Sequence, residues 1–251
     1  MNNETRANLQ AWQRQLSNAS AEEIVSWAWQ TFGSRVAFAS SLGLEDQVLT
    51  EMLYRLAPQM NVFTLDTGRL YPETYELLQR IRNRYGLKIK IYFPEASEIE
   101  ELVNASGPDL FRESVEQRKH CCRVRKIFPL RRALAGLDAW ICGLRRGQAS
   151  TRGAVQAVEW DEGNGLVKIN PLAAWSEIQT RAYLEEKKVP YNPLHDRGFP
   201  SIGCACCTRA VRPGEDIRAG RWWWEAPDKK ECGLHGGSVP APKAEKTPVA
   251  V

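Results

Sequence analysis

Cysteine carries the most distinctive spacing in this chain. Cys121 and Cys122 are adjacent, Cys204 and Cys207 form a C-x-x-C pair around Cys206, and Cys232 stands alone in Glu231-Cys232-Gly233-Leu234-His235. Two short-range pairs far apart in sequence read as halves of one site closed by folding. Four cysteines suit either a structural zinc or an iron–sulfur cluster. Zinc pairs usually have two to four residues between the cysteines, because the loop wraps one small ion; an adjacent pair fits that poorly. A cluster with irons separated in space is met more easily by neighbouring side chains. The spacing favours a 4Fe–4S cluster and leaves zinc open. Cys142, in a predicted strand, reads as a buried apolar residue, and Cys206 as a bystander or a competing ligand.

Cys232 is the candidate nucleophile. Lys229, Lys230 and His235 favour its thiolate and Glu231 opposes it. The bland alternative is an inert cysteine near a C-terminus. Residues 118 to 132 (RKHCCRVRKIFPLRR) hold seven Lys/Arg and no acid, which suggests a site for an anion or a negatively charged cluster. Arg218 and Arg221 offer two guanidinium groups at i, i+3, able to clamp a dianion. Trp222-Trp223-Trp224 beside them reads as a packed anchor rather than a platform for bases.

Several strand ends supply the remaining candidates. Val36 to Ala39 is a short apolar run followed by Ser40-Ser41-Leu42-Gly43, then a helix pattern to Leu56. Hydroxyl and glycine residues between a strand and a helix N-terminus form a natural phosphate cradle, although an ordinary capped turn explains such a loop equally well. Asn61 to Leu65 ends in Asp66-Thr67-Gly68-Arg69, where Asp66 could be only an N-cap and Arg69 a solvated charge. Ala139 to Cys142 ends in Gly143-Leu144-Arg145-Arg146-Gly147-Gln148, with Arg152 close behind. Polar residues at the carboxyl ends of strands lie where open α/β sheets bind ligands.

The elements that must position these residues follow in order. Ser20 and Glu23 make a capping-box pattern ahead of a helix that stops at Gly33. A helix starts near Pro72, Lys88 to Phe93 reads as a strand, and 95 to 119 as helical with a break at Gly107-Pro108. A hairpin spans 154 to 170, and a helix runs from Trp175 to Lys188. From 191 to 235 periodicity is weak, so ligation and packing must hold the segment. Residues 236 to 251 have the composition of a disordered tail; residues 1 to 235 show no internal boundary.

A chain of 251 residues with 43% hydrophobic and 25% charged residues is long enough for one large α/β domain. The net charge of +4 is too mild to imply nucleic-acid binding. The polar start shows no signal peptide, and no apolar run reaches a membrane span. Cysteines without an export signal argue for metal binding or catalysis in a reducing cytoplasm.

Together these residues resemble the assimilatory adenylyl-sulfate (APS) reductases within the wider phosphoadenylyl-sulfate (PAPS) reductase family. The landmarks are SSLGLED at 40–46, LDTGR at 65–69, CCRVRK at 121–126, GLRRGQ at 143–148, NPLHDRGFPSIGC at 192–204, CTRAV at 207–211, RAGRWWWE at 218–225 and KECGLH at 230–235. The resemblance implies an α/β fold with a single open, mostly parallel sheet of the adenine nucleotide alpha hydrolase-like (PP-loop) type, plus an irregular Cys-rich C-terminal segment. It implies one 4Fe–4S cluster on Cys121, Cys122, Cys204 and Cys207. Lys126, Arg152, Arg218 and Arg221 are the implied phosphosulfate contacts. Cys232 is the implied nucleophile, with His235 beside it. Cys206 departs from the pattern, and the segment from Gln148 to Arg152 is one residue shorter than expected.

The activity implied is thiol-dependent reduction of adenosine 5'-phosphosulfate to sulfite and AMP through an S-sulfocysteine intermediate. Thioredoxin or glutaredoxin would be the reductant. Homo-oligomers are common in the family; neither nucleic acid nor membrane is an expected partner. The rival readings are a PAPS reductase, a PP-loop enzyme of ATP-dependent thiolation, and a non-enzymatic zinc or nucleic-acid module.

Overall fold

The computed structural model describes residues 3–148 and 152–226; Cys232, His235 and the tail from 236 to 251 lie outside them. One sheet contains β1 (Val36–Ala39), β2 (Asn61–Leu65), β3 (Lys90–Tyr92), β4 (Ala139–Ile141), β5 (Val158–Asp161) and β6 (Leu166–Ile169). Their order is β3-β2-β1-β4-β6-β5. Every pairing is parallel except the β5–β6 hairpin, as an open, mostly parallel sheet requires.

A parallel sheet is covered on both faces, so its strands read as continuous apolar runs. Alternate side chains still go to opposite sides. Val36 and Phe38 join Val62, Ala139, Ile141, Val167 and Ile169 in one core. Ala37 faces the other way, with Phe63 and Trp140. The first core is closed by α1 (Asn3–Gln15), α2 (Ala21–Phe32), α3 (Leu44–Leu56) and α8 (Glu177–Glu186), and the second by α7 (Phe128–Leu134), while α4 (Pro72–Tyr85) packs Leu77 and Ile81 with Leu42. The capping box is formed: Glu23 N donates to Ser20 Oγ at 3.2 Å and Ser20 N to Glu23 Oε2 at 2.7 Å.

Two features differ from the sequence expectation. The polar start folds as helix α1. Its few apolar residues become useful on docking: Leu9 and Leu16 are buried, and Trp12 meets Trp27 and Phe32 edge-on at 5.6 and 5.5 Å. Tertiary contact, not propensity, supports such a short amphipathic helix. Strand β3 is shorter than the expected 88–93 because it pairs on one side only, leaving Ile91 and Phe93 exposed.

The chain steps from β1 outward to β2 and β3, then returns to the other side of β1 for β4. The carboxyl ends of β1 and β4 therefore flank a topological switch point, where doubly wound sheets bind ligands. Below that edge, α5 (Ala96–Ser106), α6 (Val115–Cys122) and the Cys-rich segment form a second small core. Leu102, Leu110, Phe111, Val124 and Trp222 surround four cysteines there. No described helix is long and apolar enough to cross a membrane.

Phe38 is fully buried at the centre of the sheet. Phe38→Ala is expected to destabilise the protein by about 3–5 kcal/mol, read as a lower denaturant midpoint with an unchanged slope.

Candidate active site

Two adjoining cavities share the walls Lys126, Cys204 and Trp222. The smaller is the cysteine cavity. Cys121, Cys122, Cys204 and Cys207 are buried, free and all line it, together with Arg69, Arg118 and Arg125. Folding thus brings both predicted pairs to one place. Among the described residues no three His, Cys, Asp or Glu side chains are close enough to hold a single metal ion.

Local sequence explains how each pair is presented. After Cys122 the helix widens into a π-turn, Arg123–Ile127, before α7. Pro129 has no N–H to donate to the carbonyl of Arg125, so the regular helical ladder cannot close there. Such π-turns frequently mark functional sites. The second pair sits on a 3₁₀ turn, Ala205–Cys207, in which Cys207 N donates to Cys204 O at 2.9 Å.

The turn after β2 fastens the two pairs together. Arg125 Nη1 donates to Thr67 O at 2.7 Å, Thr67 Oγ1 lies 3.2 Å from Cys204 Sγ, and Ala205 N donates to Arg69 O at 2.8 Å. Burial raises the Cys121 thiol, while nearby Arg125 opposes that shift. Arg125 Nε and Trp222 Nε1 are buried donors with no acceptor among the described residues. An anionic group held by four sulfurs would meet both cation and donor here. Cys206 lines the same cavity, its Sγ 3.8 Å from Cys207 Sγ and accepting from Arg69 Nη1 at 3.6 Å.

The larger cavity, about 260 Å³, lies over the carboxyl ends of β1, β2 and β4. Of the sequence candidates, Ser40, Ser41, Gly43, Leu65, Thr67, Lys126, Gly143, Arg145, Arg152, Arg218 and Arg221 line it. The base of the cleft is apolar, with Ala39, Leu65, Leu130 and Trp140. Arg221 Nη1 donates to Ser201 Oγ and Ile202 O, and its Nε has no acceptor among the described residues. Its guanidinium lies so close to Gly203 that a Cβ there would collide with it.

Four other candidates lie elsewhere. Asp66 accepts from Gly68 N at 2.7 Å and Tyr75 Oη at 3.1 Å, an Asx-type turn that shapes the loop. Gly68 supplies its positive φ of 71°. Arg69 faces the cysteine cavity and stacks on Phe111, and Arg146 Nε donates to Val155 O on the surface.

The Ser40–Asp46 loop departs from a simple phosphate cradle. Ser41 N and Ser41 Oγ donate to Asp46 Oδ2 at 2.5 and 2.6 Å, so the loop's polar groups are engaged inward. Glu45 Oε1 is paired with Arg145 Nε at 2.7 Å. Ser40, Ser41 and Gly43 line the cleft beside the cations that face it. Leu42 sits at φ 65°, a conformation that bulky residues avoid. Its strain belongs to the wall of the cleft, as does that of Trp222 at φ 40°.

Sequence reasoning missed three residues of the cleft. Gln148 accepts from Arg152 Nη1 at 2.6 Å and Arg145 N at 3.1 Å, and donates to Gly143 O at 3.1 Å. His195 Nδ1 donates to Phe199 O at 2.8 Å, which leaves Nε2 as an acceptor without a partner among the described residues. Burial lowers its pKa, against the opposing hydrogen bond to Phe199. Asp46 is the third. The motifs NPLHDRGFPSIGC, GLRRGQ and SSLGLED contain His195, Gln148 and Asp46, but local pattern assigns none of them a role.

The phosphoadenosine phosphosulfate reductase domain model matches residues 35–210. The chain is 54% identical over 217 residues to the adenosine 5'-phosphosulfate reductase of Allochromatium vinosum, covering 86% of this chain and 84% of that one. It is 49% identical to the enzyme of the same name from Agrobacterium fabrum, covering 86% and 81%. Among solved structures, PAPS reductase from Candida auris in a phosphate complex superposes with a TM-score of 0.72 at 29% identity, covering 84% of this chain and 98% of that one. An FMN adenylyltransferase from Candida glabrata shares the fold alone, at TM-score 0.54 and 14% identity, covering 96% and 80%.

Burial raises the Asp46 carboxyl from 3.8 to about 6, against the opposing hydrogen bonds from Ser41. Between those values the folded protein binds more protons than the unfolded chain, so this group's contribution to stability falls as pH rises. Relative to Asp46→Asn, the wild-type protein is expected to lose up to about 3 kcal/mol between pH 4 and pH 7. Unfolding curves of both proteins across that range test this; parallel curves would exclude it.

Proposed function

The chain belongs to the phosphoadenosine phosphosulfate reductase domain family, and on that premise we propose that it reduces adenosine 5'-phosphosulfate to sulfite and AMP. The observation that carries this reading is the cation-walled cleft at the switch point, sharing Lys126, Cys204 and Trp222 with the cysteine cavity. Relatives named for adenosine 5'-phosphosulfate, at about half identity over most of both chains, favour that substrate over its 3'-phosphorylated analogue.

The nucleoside occupies the apolar base of the cleft, and the phosphosulfate faces Lys126, Arg152, Arg218 and Arg221. The Cys232 thiolate attacks the sulfuryl sulfur. The S–O bond to phosphate breaks, AMP leaves with the bonding electrons, and an S-sulfocysteine remains on the enzyme. The cations neutralise charge gathering on the phosphate oxygen as that bond breaks. AMP leaves as a stable dianion, so no general acid is required; His235 positions or activates Cys232. A dithiol of the thioredoxin or glutaredoxin class then attacks the Cys232 sulfur and releases sulfite. Its second thiol resolves the mixed disulfide. Two thiols are oxidised to a disulfide as sulfur(VI) becomes sulfur(IV).

Cys121, Cys122, Cys204 and Cys207 fit a 4Fe–4S cluster. They are four free buried thiols around a common space, ringed by Arg69, Arg118 and Arg125, with unpartnered donors at Arg125 and Trp222. When bound, such a cluster would supply a fixed anionic charge beside Lys126. A soluble, cytoplasmic enzyme of assimilatory sulfate reduction and cysteine biosynthesis is the setting this chemistry suits.

The decisive experiment is peptide mass spectrometry of anaerobically purified, iron-loaded protein mixed with adenosine 5'-phosphosulfate, without thiol. A sulfonate on Cys232 is expected, formed much faster than with the 3'-phosphorylated substrate. Preference for the latter would overturn the substrate, and no adduct from either would overturn the reaction. Cys207→Ala is expected to purify with little iron and without the brown chromophore; full iron content would remove Cys207 from the ligand set.

A further inference from the structure

The arginines around the cleft are held in two different ways. Arg145 Nε meets the Glu45 carboxylate at 2.7 Å, so its charge is matched within the protein. Arg152 Nη1 donates to Gln148 Oε1 at 2.6 Å, and Arg221 Nη1 donates to Ser201 Oγ and Ile202 O at 3.2 and 3.3 Å. These last acceptors are an amide, a hydroxyl and a backbone carbonyl, all neutral.

Gln148 is itself held at both ends. It closes a 3₁₀ turn, Arg146–Gln148, beyond β4. Its Oε1 also accepts from Arg145 N at 3.1 Å, and its Nε2 donates to Gly143 O at 3.1 Å. Both the donor and the acceptor of the amide are used, which fixes its rotation. Gly143 is a firm support, because the Ser40–Asp46 loop packs directly on it: a Cβ at 143 would collide with Asp46 Oδ1. Asp46, Gly143, Arg145, Gln148 and Arg152 all line the cleft. One side chain thus ties Arg152 to the loops that follow β1 and β4 at the switch point.

A carboxylate in place of this amide would hold Arg152 more strongly. It would also cancel the arginine's charge, and it could not donate to Gly143 O. The amide gives direction without neutralisation. A side chain ordered in advance lowers the cost of binding, and a cation with its charge intact attracts an anion most strongly where water is scarce.

We propose that Gln148 is a positioning residue for the anion: it aims Arg152 at the phosphosulfate and, being neutral, leaves that arginine's charge for the ligand. The Glu45–Arg145 pair beside it is the contrasting case, an arginine whose charge is satisfied inside the protein. Gln148 therefore acts on recognition of the charged part of the nucleotide and not on recognition of the nucleoside. The inference rests on the reading of Arg152 as a phosphosulfate contact.

The test is calorimetric binding of AMP and of adenosine to full-length, iron-loaded wild type, Gln148→Glu and Gln148→Met. Adenosine is the nucleoside without the charge, so a distorted cleft weakens both ligands and a cancelled cation weakens AMP alone. Gln148→Glu is expected to bind AMP at least about tenfold more weakly than wild type and adenosine within about twofold. Gln148→Met removes the aim and adds no charge, so it should lose less AMP affinity than Gln148→Glu. AMP affinity within about twofold of wild type in Gln148→Glu would overturn the proposal. Equal losses for AMP and adenosine would also overturn it, as would a loss in Gln148→Met as large as that in Gln148→Glu. If Gln148→Glu does not hold its iron, Glu45→Gln carries the converse measurement. Arg145 then keeps a partner of the same shape without the opposing charge, and AMP should bind at least about threefold more tightly with adenosine unchanged; no gain would overturn the proposal. A wild type that binds AMP no better than adenosine would sink the reading of the cleft as a phosphosulfate site.

Discussion

Both cavities depend on one turn, Asp66 to Tyr71, at the end of β2. Its carbonyls receive Arg125 and Ala205, its Thr67 hydroxyl meets Cys204, and Tyr71 Oη donates to Thr208 O at 2.6 Å. Segments that are remote in sequence therefore share a single backbone reference. Asp66 holds the shape of that reference through Gly68 N and Tyr75. The segment of the second cysteine pair has only a short 3₁₀ turn of its own, so these bonds substitute there for a helix or strand ladder.

Charge organises what the turn brings together. Cations surround the cysteine cavity and line one wall of the cleft, while the acids nearby are already matched. Glu45 is paired with Arg145, Glu225 with Arg118, and Asp46 is buried with its carboxyl bonded to Ser41. The two cavities are thus walled by cations, and the Ser40–Asp46 loop borders the larger one. Lys126 belongs to both walls, so a charge held in either cavity would act on the same side chain.

Backbone strain is stored at the same place. Leu42 and Trp222 both adopt positive φ, and both line the cleft. Residues of that size hold such conformations only where surrounding packing determines them, as their near-complete burial does here. Arg221 gains its place from a missing side chain, since only glycine at 203 leaves room for its guanidinium.

The sequence by itself determined the α/β class, the strands Val36–Ala39, Asn61–Leu65 and Ala139–Ile141, the Ser20 capping box and the four cysteines. Those features are written in local pattern: short apolar runs, a cap three residues from its acid, and paired thiols. Family resemblance added the substrate and the reaction, which no periodicity contains. Tertiary structure alone decided which strand-end residues face the cleft, sending Arg152 and Arg221 into it, Arg69 to the cysteines and Arg146 to the surface. It alone docked α1, engaged Ser41 with Asp46, and joined Arg118 to Glu225. The physical reason is common to all of these. A charged or amphipathic residue has the same local signature wherever it ends, and its role is set by the partner that desolvates and pairs it. That partner can lie more than a hundred positions along the chain, as Glu225 does from Arg118.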